Sequence, residues 1–413
     1  MTIKKKLISN FSYLTTIQLI TLLVPFIYYP YIIRKFNIDD YGLVVFIQSI
    51  IMLLSIIVDF GFNIYATRIT SKYSNNIKKL SVIYSSVTYI KIALFFLCLI
   101  VFQFFILFNN KLHENTVLSN LLFLIVLGEA LFSQWLYLGL EKIKFAAAIN
   151  LVSRIFLLLF ILIGSNTSLG FHSFPAALIF SSLLNGILSI IFINNRLKIK
   201  FIPISFRRLK LDIVSSYSFL LSRSIGVIIL KVNTYLIGNY IGLSYVAYYD
   251  LAEKLINLAT LPLNMLNQVL YPHIAKTKNF NLTFKVVLYL FVLYILSYPI
   301  LFFYGEELIS IFAGNDMIKS YNYLVILYLV PITNIFTYFL GNCALILINK
   351  KKEFNNSIYI SALFYFLIVL VSIYFFEINI IILCWSIVIN STLTCLYRIN
   401  ACIKYRELFT EIK

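Results

Sequence analysis

The chain has 413 residues, of which 61% are hydrophobic and 12% are charged, and its mean hydropathy is +0.92. This composition excludes a soluble enzyme or binding domain, because soluble domains carry about twice that share of charged residues. The net charge of +18 is distributed over many short segments rather than gathered on one face, which excludes a nucleic-acid surface.

Apolar stretches of about 20 residues recur along the chain, and this is the length that an α-helix needs to cross a bilayer. We predict spans at residues 11–34, 41–66, 80–108, 117–138, 143–164, 174–194, 213–238, 245–272, 283–304, 321–348, 355–376 and 378–400. The first is too long for a signal peptide and lacks a small-residue cleavage site, so we expect it to be retained. The predicted fold class is an all-α polytopic membrane protein with twelve transmembrane helices.

Basic residues gather in every second loop, and acidic residues gather in the loops between them. The basic set is Lys4 to Lys6; Arg68, Lys72, Lys78 and Lys79; Lys142 and Lys144; Arg196 to Lys210; Lys276, Lys278 and Lys285; Lys350 to Lys352; and Arg398, Lys404, Arg406 and Lys413. The other loops hold Arg34, Lys35, Lys111 and Lys319 with Asp39, Asp40, Glu114, Glu306, Glu307, Asp316 and Glu377. The positive-inside rule places the first set, and both chain termini, in the cytoplasm.

Six spans, a basic linker and six further spans form the layout of a duplicated transporter. Residues 10–16, NFSYLTT, resemble residues 216–222, SYSFLLS, and residues 32–46 resemble residues 236–250. We therefore predict an N-terminal six-helix bundle at 1–194, a cytoplasmic basic linker at 195–212, and a C-terminal six-helix bundle with a short cytoplasmic tail at 213–413. Both bundles should have the same orientation, because each has an even number of spans.

A polar stripe marks the second span, which we predict as one continuous helix over 41–66. At 100° per residue, Gln48, Ser55 and Asp59 face the same side of that helix. An ionised aspartate near the centre of a span costs about 2.5 to 3.5 kcal/mol, so Asp59 should face water or a partner. Lys91 lies at a similar depth in the third span, where it can pair with Asp59.

Nine ionisable residues lie inside the predicted spans. The basic ones are Lys91, Arg154, Arg223, Lys231 and Lys254, and the acidic ones are Asp59, Glu129, Asp250 and Glu253. Each alone is explained equally well as half of a structural ion pair, and Asp250 and Lys254 have the spacing of neighbours on one helix face. As a set they predict a water-accessible lumen with a slight cationic excess, which suits an anionic or sugar-rich cargo.

Other polar side chains in the spans have two interpretations. Asn257, Asn264, Asn267, Asn334, Tyr338 and Asn342 would either line the same path or hold helices together, and we favour helix contacts. Pro262 and Pro331 lie in the middle of spans and are candidate hinges.

Three histidines and five cysteines make no metal-ligand spacing, and the sequence has no phosphate-binding glycine loop or nucleophile elbow. We predict no metal, no cofactor and no enzymatic activity.

A family resemblance is carried mainly by the first 70 residues and by the region from Tyr245 to Lys254. The pieces are Asn10-Phe-Ser-Tyr-Leu14 with Gln18, Pro25, Tyr29-Pro-Tyr31, Arg34, Asp40-Tyr-Gly42, Asp59-Phe-Gly-Phe-Asn63 and Ala66-Thr-Arg68. In this order they resemble the start of the Wzx-type O-antigen and polysaccharide-repeat flippases, members of the multidrug/oligosaccharidyl-lipid/polysaccharide (MOP) exporter superfamily. Length and the layout of six plus six spans extend the resemblance over the whole chain.

The resemblance implies a MATE-like fold and a bacterial inner-membrane flippase for undecaprenyl-diphosphate-linked oligosaccharides, working by alternating access between two bundles. It also implies membrane lipids as surroundings, a coupling ion such as H+ or Na+, and a polysaccharide polymerase and chain-length complex as a partner. On this basis Lys91, Arg154, Arg223, Lys231 and Lys254 are expected to contact diphosphate or sugar. Asp59, Glu129, Asp250 and Glu253 are expected to be counter-ions or proton carriers.

Other functions fit less well. A multidrug or cation antiporter of the same superfamily is the nearest alternative, and it would want a more acidic cavity. A lipid II flippase usually has two further spans, and a major facilitator sugar transporter would carry a glycine- and arginine-rich loop where this chain has ITSKYSNNIKK. A membrane glycosyltransferase or polymerase would need a larger outer loop than residues 305–320.

Overall fold

The computed structural model describes residues 19–411 except 22 and 376, without the side chains of 218–224, 410 and 411. Contacts divide the chain into two compact units, one ending at Tyr235 and the other beginning at Leu236. Within the described residues the regular elements of both units are helices.

The helices of the first unit are α1 (23–35), α2 (Ile38–Asp59), α3 (Phe62–Lys72), α4 (Ile77–Phe108), α5 (Asn110–Glu114), α6 (Thr116–Leu131), α7 (Gln134–Gly139), α8 (Ile143–Gly164), α9 (Ser173–Asn195) and α10 (Phe206–Leu236). The last residue of α10 already belongs to the second unit. A segment without regular secondary structure, residues 198–205, connects α9 to α10.

The helices of the second unit are α11 (Leu243–Thr277), α12 (Phe280–Ala313), α13 (Ser320–Leu327), α14 (Leu329–Leu340), α15 (Lys351–Phe375), α16 (Ile380–Lys404) and α17 (Leu408–Glu411). Two π-helical segments, Ile237–Ile241 and Gly341–Ile346, interrupt the α-helical pattern.

Nine helices in the described part of the chain are long and apolar enough to cross a membrane. Large apolar side chains on them are exposed, as Ile100 and Leu107 of α4 show, which is the surface expected to face lipid. The all-α polytopic fold is therefore confirmed. The count of twelve stays a prediction, because span 11–34 is only partly described and α10 and α11 carry many polar residues.

Asparagines begin several of these helices. The side chains of Asn37, Asn76, Asn109, Asn279 and Asn379 each accept a hydrogen bond from a backbone N–H in the first turn of the following helix. These N–H groups have no partner inside the helix, and asparagine is among the best residues for capping them. The asparagine-rich segments between apolar stretches thus define where the spans start.

The predicted span at 41–66 lies within one stretch that is long and apolar enough to cross a membrane, Ile38–Lys72, but the expectation that it forms one continuous helix is wrong. Phe60 and Gly61 both take left-handed backbone conformations, with φ of 45° and 74°, and this ends α2 at Asp59. Glycine adopts that region without steric cost, whereas Phe60 does not. The break places Asp59 at the end of α2, and α3 begins at Phe62.

Helix α10, predicted as the first span of the second half, packs within the first unit up to Tyr235. The Tyr235 ring stacks on Phe46 of α2 with ring centroids 5.8 Å apart, and Asp212 accepts hydrogen bonds from α3 and α4. The division into bundles at 1–194 and 213–413 stays a prediction.

Candidate functional site

A cavity of ≈ 580 Å³ lies inside the first unit, lined by residues of α2, α3, α4, α6, α7, α8, α9 and α10. Four ionisable residues line it: Asp59, Lys91, Glu129 and Arg154, one each from α2, α4, α6 and α8. Sequence reasoning had placed all four near the middle of separate spans. The structure brings them together around one polar space.

Asp59 and Lys91 form an ion pair. The Lys91 ammonium lies 3.0 Å from Asp59 Oδ1, and the Asn63 amide donates to the same oxygen at 2.8 Å. The Lys91 side chain is 5% exposed and that of Asp59 is 30% exposed. The pairing that the sequence suggested is confirmed, and it neutralises the two charges at this wall.

Glu129 on α6 accepts a hydrogen bond from the Ser55 hydroxyl of α2. Its side chain is exposed, and because the residue lines the cavity, that exposed area faces the cavity. Ser55 lies one turn before Asp59, so the polar stripe predicted on this part of α2 does face the interior.

Arg154 is half-buried on α8 and lines the same cavity. It makes no hydrogen bond and no salt bridge within 4 Å to any residue that the structure describes, so the five N–H donors of its guanidinium are unused there. With two acids and two bases, the part of the cavity that the structure describes is balanced in charge. The slight cationic excess was predicted for all nine ionisable residues and stays a prediction. Since Lys91 already forms an ion pair with Asp59, Arg154 is the cation of this cavity whose hydrogen-bond donors are left for a ligand.

A neutral polar wall faces these charges on α8 and α9. The Asn150 amide nitrogen donates to the Ala146 carbonyl at 3.0 Å, and the Asn150 side-chain oxygen accepts from the Asn185 amide nitrogen at 3.3 Å. Ser181 and Ser182 donate to backbone carbonyls of the neighbouring helices. Sequence analysis did not select this wall, although amides inside apolar spans were a usable signal.

Close packing of α6 on α9 supports this wall. A Cβ added to Gly186 of α9 would lie 2.9 Å from the Gly128 carbonyl oxygen of α6, closer than real side chains approach. The two glycines therefore allow a helix contact that a larger residue would separate, as small residues do in membrane helix pairs.

The other predicted site residues lie elsewhere. Asp250 and Glu253 are buried near the start of α11 in the second unit, and the Lys254 ammonium pairs with the Asp250 carboxylate one turn earlier, as predicted from their spacing. Lys231 is half-buried on α10 and does not line the cavity. The Arg223 side chain lies outside the described part of the structure.

Arg398 was missed, because the sequence placed it with the cytoplasmic tail. Its guanidinium is buried in the second unit, where Nε donates to the Ser357 hydroxyl at 2.9 Å and Nη1 donates to the Thr337 carbonyl. The same group stacks 4.2 Å from the centre of the Phe354 ring. Gly341 makes room for it, since a Cβ there would overlap the guanidinium.

The polar side chains of α11 and the segment after α14 meet directly. The Asn342 amide donates to Asn267 Oδ1 at 3.2 Å, and the Asn264 side chain hydrogen-bonds Tyr338 of α14, whereas Asn257 is exposed. The favoured interpretation, helix contact, thus describes both pairs. Across the described residues, His, Cys, Asp and Glu side chains form no group that could hold a metal ion.

Comparisons with known proteins agree with this architecture. Two bacterial proteins named "Putative O-antigen transporter" are similar: one from Shigella dysenteriae, 27% identical over 90% of this chain and 93% of its own length, and one from Escherichia coli (strain K12), 23% identical over 86% of each. Among solved structures, an inward-facing multidrug resistance MATE family transporter of the MOP superfamily has a TM-score of 0.70 at 9% identity, covering 96% of each chain. A eukaryotic MATE transporter has a TM-score of 0.57 at 11% identity, covering 98% of each.

The structural matches show the fold, which is that of MATE transporters. Family membership comes from a family model described as "Polysaccharide biosynthesis protein", which matches residues 7–278. That range is well over half of the chain and contains the whole charged cavity. The protein is a multi-pass membrane protein that belongs to the polysaccharide biosynthesis protein family.

Proposed function

We propose that this protein is a flippase that moves undecaprenyl-diphosphate-linked oligosaccharide repeat units from the cytoplasmic to the outer leaflet of the bacterial inner membrane. The observation that carries the proposal is the Arg154 side chain, which lines a polar cavity and makes no hydrogen bond or salt bridge to the residues that the structure describes. The names of the two O-antigen relatives support the same cargo class.

The cavity chemistry matches the parts of such a cargo. A diphosphate needs a cation with unused donors, and a planar guanidinium binds phosphate oxygens in pairs. Sugar hydroxyls need amides and hydroxyls, which Asn150 and Asn185 with the serines of α9 provide. The polyprenyl chain is apolar and can remain in lipid while the head group crosses.

Roles for the ionisable residues follow from this proposal. Arg154 contacts the diphosphate first, with Lys91, Arg223, Lys231 and Lys254 as further substrate contacts. Counter-ions or proton carriers are provided by the acids Asp59, Glu129, Asp250 and Glu253. Through them, transport is coupled to an H+ or Na+ gradient. Both termini lie in the cytoplasm, and the polymerase and chain-length complex receives the product. No chemical bond changes, so the protein acts as a transporter and not as an enzyme.

Deletion of the gene tests the cargo. We expect a lipid-linked saccharide to accumulate on the cytoplasmic leaflet and surface polysaccharide to disappear, with both restored by the wild-type chain. Accumulation of no lipid-linked saccharide would contradict the proposal.

Arg154→Ala tests the site. Loss of the cavity's unpaired cation should reduce restored surface polysaccharide at least tenfold while membrane abundance stays normal, because one charged hydrogen-bond partner contributes about 1.5 to 3 kcal/mol. Arg154→Lys keeps the charge but not the paired donors, so its restored surface polysaccharide should lie between that of Arg154→Ala and that of the wild type. Arg68→Ala, which removes an exposed arginine of α3, is the matched control and should behave as wild type. Equal restoration by Arg154→Ala and Arg68→Ala would remove Arg154 from the mechanism.

A multidrug or cation antiporter is the second candidate. The balanced charge of the described cavity favours it, since a cationic drug would be less repelled there than by a basic lumen. The test is drug efflux from cells that express the chain. Efflux without any effect on lipid-linked saccharide would support this alternative against the flippase.

A further inference from the structure

A buried carboxylate joins α10 to two other helices of the first unit. Asp212, in the second turn of α10, is 1% exposed. Its Oδ1 accepts from the Tyr65 hydroxyl of α3 at 2.6 Å, and its Oδ2 accepts from the Ser86 hydroxyl of α4 at 2.6 Å and from Arg208 Nε at 3.0 Å. We call these four residues, Tyr65, Ser86, Arg208 and Asp212, the α10 latch.

The segment that leads into α10 is also held on α4. The backbone N–H groups of Lys200 and Ile202 donate to the Ser81 and Ser85 hydroxyls, at 3.1 and 2.8 Å. The spacing fits, since two extended residues advance about 6.6 Å and four helical residues advance about 6 Å. Ile199 is buried beneath this contact. The linker, residues 195–212, is therefore bound to α4, and we call it the strap. The α10 latch is the last contact of the strap with the other helices.

The latch lies next to the charged cavity along the chain. Tyr65 follows Asn63, the residue that donates to Asp59, by two positions on α3. Ser86 precedes Lys91 by five positions on α4, which is about 7.5 Å along the helix. Helix α10 itself contributes Val227 to the cavity wall. The three helices that meet at Asp212 thus all continue into the cavity.

Asp212 is suited to a contact that opens and closes. It holds α10 through polar bonds to flexible hydroxyls, and its charge is compensated by Arg208 of its own helix, so separation from α3 and α4 leaves the ion pair intact. Water can replace the Tyr65 and Ser86 hydroxyls as donors to the carboxylate, so opening exchanges these hydrogen bonds and does not leave the acceptors unpaired.

We propose that Asp212 is a positioning residue for transport: the α10 latch closes the basic, cytoplasmic end of the cavity and must open for the cargo head group to enter. The proposal rests on the proposed function for the cargo and for the orientation. It assigns to the linker region a role beyond connecting two halves.

A reversible cross-link tests whether opening is required. In the variant Ser86→Cys/Asp212→Cys a disulfide can replace the bond between the two side chains. Membrane vesicles from the deletion strain expressing it should move the accumulated lipid-linked saccharide to the outer leaflet when reduced, stop when oxidised, and resume after dithiothreitol. The control pair is Gln103→Cys/Asn120→Cys, whose native side chains bond at 2.7 Å between α4 and α6 and should tolerate oxidation. Transport by the oxidised latch pair, or absence of the disulfide, would overturn the proposal.

A second measurement does not depend on transport. Ser86 is fully buried beneath the closed latch, so a cysteine there should react slowly with a water-soluble maleimide. Adding Asp212→Ala should raise its labelling several-fold without changing the labelling of Gln103→Cys, which reports on the fold. Unchanged labelling would show that Asp212 does not hold the helices together. Failure of the wild-type chain to move saccharide would instead contradict the proposed function and leave this result standing.

Discussion

Arg154 and Lys91 are both cations of one cavity, but their surroundings give them different tasks. Lys91 is buried and forms an ion pair with Asp59, whereas Arg154 is attracted by Glu129 but forms no hydrogen bond or salt bridge to a described residue. A buried pair is weak evidence for function, because such pairs also serve to keep a single helix arrangement. At the scale of the residue, a charged group with unused hydrogen-bond donors is the better guide to a ligand.

Removal of Lys91 alone should therefore harm the fold more than removal of the whole pair. Lys91→Met leaves the Asp59 carboxylate without its cation and should destabilise the protein by about 1 to 3 kcal/mol. The double variant Lys91→Met/Asp59→Asn should recover part of that loss, because no unpaired charge remains. Thermal unfolding in detergent and abundance in the membrane measure both variants. A double variant less stable than Lys91→Met would show that the pair is not coupled in this way.

For single residues, the sequence predicted the depth in the membrane well and the side-chain contact partners poorly. Asp59, Lys91, Glu129 and Arg154 could be grouped because a helix rises by a constant amount per residue, which fixes depth in a span. That Ser55, not a cation, contacts Glu129 depends on how α2 and α6 rotate about their axes. Packing of distant side chains sets that rotation, and no local pattern encodes it.

At the scale of the element, helices that look continuous in sequence contain breaks that shape the site. The left-handed residues Phe60 and Gly61 end α2 at Asp59, so its carboxylate accepts from Asn63 on a new helix. The predicted span ran past this break because residues 62–66, FNIYA, are still largely apolar, although the rest of α3, TRITSK, is polar. Arg398 likewise lies near the end of an apolar span, where charge alone does not distinguish a buried residue from a residue of the cytoplasmic tail.

The contact of α6 and α9 gives an element-scale prediction. Gly186→Ala introduces a methyl group 2.9 Å from the Gly128 carbonyl, so the helices must separate and the polar wall of the cavity shifts. We expect a loss of about 1 to 3 kcal/mol in stability and a clear loss of transport. Gly226→Ala on α10 is the control, since no atom lies within 4 Å of the added methyl, and alanine favours a helix by about 1 kcal/mol. Equal thermal stability of the two variants would contradict close packing at Gly186.

For the whole molecule, composition and apolar periodicity predicted the polytopic helical fold, because the bilayer imposes length and internal hydrogen bonding on every span. The boundaries of the two compact units are harder to predict from these patterns. Tyr235 and Asp212 attach α10 to the first unit through ring stacking and a buried carboxylate, although its sequence resembles the start of a second half. The local sequence pattern of a helix does not show which other helices it packs against.

Orientation in the membrane is the remaining whole-molecule prediction. The basic loops should lie in the cytoplasm, so Lys198 of the strap faces inward and Glu114 at the end of α5 faces outward. Both side chains are exposed, and the five native cysteines are buried, which gives a low background for labelling. In intact cells a membrane-impermeant maleimide should label Glu114→Cys and not Lys198→Cys, and opening the cells should make both reactive. The reverse pattern would invert the protein, place the α10 latch at the outer surface, and turn its proposed role from entry of the cargo to release.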